Sequence, residues 1–118
     1  MADMDERVEL NYLLDFYGPL LTPHRQELMQ LYCEEDLSQQ EIAEQLSITR
    51  QGVSDAIAKS KKQLTDYERK LGLVERYRKQ SAAAEECLTA LDGLHPAPED
   101  APLLEEARQA LRRVIRDR

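Results

Sequence analysis

The side chains that could do chemistry are many but scattered. Twenty-three carboxylates and sixteen cationic side chains are spread over 118 residues. The carboxylates read as solvated helix faces, with no histidine, glycine-rich loop or nucleophile elbow beside them. His24 and His95 each adjoin a proline, and a metal site would need three or four converging ligands. Cys33 and Cys87 lie far apart without a CxxC partner. They read as reduced, buried thiols, although a bridge between them is geometrically open. Neither an enzyme nor a cofactor is expected. The grouping that matches a defined chemistry is Arg50, Gln51, Ser54, Lys59 and Lys62. Arginine can bond guanine through two donors, and glutamine can bond adenine in the same two-point way. Lysines spaced along the same segment suit phosphates. Ser38, Gln39 and Thr49 open two helical patterns, and the free N–H groups of a helix start favour an anion.

The elements that must position these residues are all helical. Apolar spacing predicts a helix over 5–17, stopped by Gly18-Pro19. Thr22-Pro23 reads as a cap followed by proline at the first helical position, opening a helix over 24–34 with Leu28, Leu31 and Tyr32 inward. Ser38-Gln39-Gln40-Glu41 is a capping box before a short helix, 39–46, that buries Ile42, Ala43 and Leu46. Ser47-Ile48-Thr49 is a three-residue turn. The next helix, 50–71, turns Val53, Ala56, Ile57, Ser60, Leu64, Tyr67 and Leu71 inward at nearly heptad spacing. Gly72 marks its left-handed end, with Leu73 packing back. A helix over 74–91 follows, either separate or continuous through Gly72. Beyond a loop with three prolines, a last helix over 102–117 carries Leu103, Leu104, Ala107, Leu111, Val114 and Ile115. No strand pattern appears.

The chain is therefore expected to be an all-α helix-turn-helix bundle without a wing. Residues 1–72 form the helix-turn-helix domain, 73–92 a helix extending the bundle, and 93–118 a proline-rich linker with a terminal amphipathic helix. Small Ala43 falls where the two helices cross, and in this geometry the second helix enters the major groove. Charge qualifies that reading. The net charge is −7. Residues 1–49 hold eleven acids against two bases, whereas 50–70 hold six bases against three acids. No apolar run approaches the roughly 20 residues of a membrane span, and the acidic start is wrong for a secretory leader, so a cytoplasmic location is expected.

Residues 22–64 resemble the promoter-binding region four of sigma factors. Over about residues 8–80 the chain more closely resembles the small YlxM-type helix-turn-helix proteins. The resemblance rests on Tyr17-Gly18, Leu20-Leu21-Thr22, Tyr32, Asp36-Leu37-Ser38, Glu41-Ile42-Ala43, Arg50-Gln51-Gly52-Val53-Ser54-Asp55 and Tyr67-Glu68; residues 93–118 carry none of it. It implies a regulatory role beside the signal recognition particle pathway. Two partner readings stay open: duplex DNA at the Arg50-Gln51 face, or the particle's RNA or GTPase subunit at the later helices and the Lys59–Lys62 cluster. A homodimer is expected on residues 64–91 and the final helix, because the stripe from Ile57 to Leu91 is long for a small domain to cover. The alternative is that the last helix folds back over the stripe.

Overall fold

The computed structural model describes residues 2–116, with side-chain burial defined for 6–115. It contains six α-helices: α1 (Ala2–Tyr17), α2 (Pro23–Cys33), α3 (Gln39–Leu46), α4 (Arg50–Leu71), α5 (Leu73–Asp92) and α6 (Ala101–Arg116), with a 3-10 turn at Gly18–Leu20. The fold is all-α, and the described residues include no strand. The chain divides into two compact units, one ending at Val74 and the other beginning at Glu75.

The first unit is built around α4. Val53, Ile57, Ser60 and Leu64, spaced at four, three and four residues, form its inner face and are buried. Against them pack Leu10, Leu13, Leu14 and Tyr17 of α1, Leu28 and Met29 of α2, and Ile42 and Ala43 of α3. Local signals delimit these helices. The Thr22 Oγ1 accepts a hydrogen bond from the Arg25 N–H at 3.3 Å, and Pro23 follows at the first helical position. Ser38 and Glu41 close the capping box from both sides, at 3.1 and 3.0 Å. Thr49 caps α4 by accepting from the Gly52 N–H at 2.9 Å. Ser47 occupies the left-handed region, φ 57 and ψ 43. That conformation costs a residue with a Cβ about 1–2 kcal/mol, and the closed crossing of α3 and α4 holds it there.

The stripe expected in α4 needs amending at its end. Leu71 is half exposed and Leu73 does not pack back; Val74, at 1% exposure, is the residue that enters the core. Gly72 takes φ 62 and ends α4, so α4 and α5 are separate helices. A polar latch holds this junction. The Tyr17 hydroxyl donates to Glu68 Oε1 at 2.5 Å and accepts from the Leu73 N–H at 3.1 Å. The same Glu68 oxygen accepts from the Val74 N–H at 3.0 Å. One carboxylate and one phenol thus satisfy two of the otherwise orphan donors at the start of α5.

The second unit is an antiparallel hairpin of α5 and α6. Tyr77, near the start of α5, donates its hydroxyl to the carbonyl of Ile115 near the end of α6. At the other end Arg108 donates to the Leu91 carbonyl at 3.5 Å and pairs with Asp92 at 3.0 Å. Tyr77, Ser81, Ala84, Leu88 and Leu91 step by four, three, four and three along α5, and Leu104, Arg108, Leu111 and Ile115 step by four, three and four along α6. All of these are half-buried except the buried Ala84. The long stripe expected to need a dimer is therefore accounted for differently. Ile57 and Leu64 are buried in the core shared with α1 and α2, and the α5 part faces α6 of the same chain. Leu103, Ala107 and Val114, read as part of one α6 stripe, are exposed.

Candidate nucleic-acid interface

The turn Ser47–Thr49 joins the end of α3 to the start of α4, and a shallow polar recess opens between the starts of the two helices. Gln39, Arg50, Gln51 and Ser54 line it. Four residues separated by up to fifteen positions thus share one surface, because the αL turn at Ser47 folds α3 back against α4. Arg50 and Gln51 are exposed and Ser54 is half-buried. Ser38 and Thr49 lie at the adjoining helix starts, with their hydroxyl oxygens accepting the capping bonds. Their O–H groups remain donors, and beside them lie the unpaired first-turn N–H groups expected at any helix start. This is the arrangement in which a phosphate is bound by backbone dipoles and hydroxyls together.

Gln51 is not a free reader. Its Nε2 donates to Asp55 Oδ1 at 3.0 Å, one helical turn on. The carboxamide is held by that bond, and two-point pairing with adenine requires the bond to open. Asp55 therefore acts twice: as a charge that opposes phosphate and as the group that fixes Gln51. The four-residue spacing of Gln51 and Asp55 is visible in the sequence, and the structure adds the bond.

Lys59 and Lys62 are exposed on α4 and do not line the recess. Their place along the helix puts Lys59 about 13 Å and Lys62 about 18 Å beyond Arg50 at 1.5 Å per residue. Lys61, between them in sequence, turns the other way. Its Nζ lies 5.9 Å from the Tyr32 ring centroid, and the Arg7 guanidinium is 5.3 Å from the same centroid. A run of basic residues on a helix is thus divided between faces.

The electrostatic surroundings are mixed. The Glu41 carboxyl is held below its ordinary range by the Ser38 N–H and then by the Ser38 side chain, so the acid beside the recess is ionised at neutral pH. Glu44 is exposed on the same helix and accepts from Gln40 Nε2 at 3.1 Å. Cys33 is far from reactive: burial pushes its thiol up to about 11, offset in part by Arg7 and Lys61. Cys33 is half-buried, whereas Cys87 is exposed, and both are free thiols. Among the described residues no group of three or more His, Cys, Asp or Glu is placed to hold a metal, and no helix is long and apolar enough to cross a membrane.

A capped short helix, a three-residue turn and a long helix with polar residues at its exposed start make up a helix-turn-helix. The family model described as "Putative helix-turn-helix protein, YlxM / p13 like" (UPF0122) matches residues 4–95. The chain belongs to the UPF0122 family. A UPF0122 protein of Desulforamulus reducens is 41% identical over 117 residues, covering 98% of this chain and 97% of the relative. Another, from Acetivibrio thermocellus, is 39% identical over 115 residues, covering 95% and 98%. A UPF0122 protein of Clostridium acetobutylicum is 47% identical, but over 76 residues, or 64% of this chain and 66% of the relative. The family model ends before α6, yet the D. reducens alignment continues into it. The family match thus ends where the resemblance read from the sequence ends, while the longer alignment extends beyond it.

Proposed function

We propose that this UPF0122 protein is a regulatory nucleic-acid-binding protein that uses the start of α4 as its reading helix. The observation that carries this is the recess that gathers Gln39, Arg50, Gln51 and Ser54 at the mouth of the helix-turn-helix. In this reading α4 lies in a major groove, Arg50 bonds a base edge, and Gln51 does so once released from Asp55. Ser38 and Thr49 bond phosphates, and Lys59 and Lys62 follow the backbone further along. The phosphate contacts of the basic residues weaken as salt rises, whereas the long-range repulsion from the acidic first half is screened by the same salt. The YlxM resemblance supports a cytoplasmic role beside the signal recognition particle pathway, with duplex DNA or the particle's RNA as the bound polymer. A homodimer would present two reading helices.

The test is fluorescence anisotropy with duplex DNA and with signal recognition particle RNA across a salt series. Arg50→Ala should lose about 1–3 kcal/mol of binding to the preferred polymer. Asp55→Ala should strengthen non-specific binding, since it removes an opposing charge and frees Gln51. If both variants match the wild type on every nucleic acid, the recess is not a reader. The acidic net charge would then favour a protein partner, and the GTPase subunit of the particle would be the first to assay.

A further inference from the structure

The amphipathic face of α6 is wider than its contact with α5 uses. Leu104, Arg108, Leu111 and Ile115 are the half-buried positions of α6 and occupy the hairpin seam. One residue earlier in each case stand Leu103, Ala107, Ala110 and Val114. A one-residue offset turns this second row about 100° around the helix, so the two rows do not compete for the same neighbour. The second row is exposed throughout, with Leu103 at 66% and Val114 at 43%. Its steps of four, three and four are those of a coiled-coil seam.

We infer that this second row is a self-association seam, on which α6 of another copy of the chain packs antiparallel. Two features point to a second copy. The first is the pattern of sizes. Read against its own reverse, the row places Leu103 opposite Val114 of the second copy and Ala107 opposite Ala110. Large residues then meet at the two ends, and small ones meet at the centre, where the helices can approach closely. The second is charge. Glu106 and Arg113 flank the row on the side away from α5, and among the described residues neither makes an ion pair. Antiparallel pairing brings Glu106 of each copy beside Arg113 of the other, twice by symmetry. Parallel pairing would set Glu106 beside Leu111 and leave Arg113 without an acid. The seam is short, so association is expected at about tens of micromolar, where small interfaces operate.

The inference concerns the second unit and stands apart from the nucleic-acid reading. The experiment is sedimentation equilibrium of the full chain without nucleic acid. The wild type should be a dimer at tens of micromolar, and the double variant Leu103→Glu/Val114→Glu a monomer with unchanged helix content by circular dichroism. Glu106→Arg and Arg113→Glu should each weaken the dimer about tenfold, by turning two attractions into two repulsions. Combining them should restore wild-type affinity, which separates the pairing from any loss of folding. A monomeric wild type, a dimer indifferent to the Leu103/Val114 change, or a charge swap no better than its two single changes would each overturn the seam.

Discussion

The two units of this chain solve the same packing problem with different amounts of material. In the first, α1, α2 and α3 surround α4, and thirteen buried residues from Leu10 to Val74 form one core. In the second, α5 and α6 meet along one seam, and among the described residues Ala84 is the one buried hydrophobic residue. A helix surrounded on three sides can leave its remaining face polar, and α4 does so with Gln51, Asp55, Lys59 and Lys62. A helix with one neighbour must leave apolar surface uncovered if its stripe is wide, and α6 does so with Leu103 and Val114. The first arrangement yields a stable platform that can present a binding face. The second yields a surface that still lacks a neighbour.

The comparison breaks most readily at the crossing of α3 and α4. Ala43 is 4% exposed there. Ala43→Glu would bury an unpaired carboxylate and should destabilise the first unit by about 3 kcal/mol or more. Thermal melts monitored by circular dichroism would show it, and an unchanged midpoint would remove the tight crossing from the account. A smaller loss is expected at the latch. Tyr17→Phe keeps the ring but removes the partner of Glu68 and of the Leu73 N–H, at a cost of about 1–2 kcal/mol. Urea midpoints equal to wild type would mean that the latch does not contribute to holding the start of α5. The smallest effect belongs to the capping box. Glu41 binds a proton less tightly folded than unfolded. Its contribution is therefore present at neutral pH and is lost as pH falls through its lowered value. Wild type should melt slightly above Glu41→Ala at pH 7, and the gap should close in acid. A gap that widened on acidification would contradict the assigned bonds.

Local signals in the sequence carried most of the fold. The caps at Thr22, Ser38 and Thr49, the turn at Ser47 and the left-handed Gly72 depend on residues within a few positions of one another, and each was legible. Features spanning distance were not. Tyr17 and Glu68 are 51 positions apart, and nothing in either neighbourhood announces their bond. Met29, wholly buried, does not stand out beside Leu28 in the sequence, because two adjacent apolar residues in a helix leave the inner face ambiguous by about 100°. The same ambiguity merged two rows of α6 into one stripe. At the candidate interface the residue types were readable, but the hold of Asp55 on Gln51 and the turning of Lys61 toward Tyr32 depend on which side of α4 faces α2.

The central claim is that nucleic acid meets the first unit at the start of α4. Amide chemical-shift mapping of the full chain, titrated with duplex DNA and separately with signal recognition particle RNA, tests it most directly. The account predicts that the largest perturbations with one of these polymers fall at residues 38–39 and 49–54, with smaller ones at Lys59 and Lys62 and little change across α6. Perturbations concentrated in α5 and α6 with residues 38–62 unmoved, or none with either polymer at low salt, would contradict it.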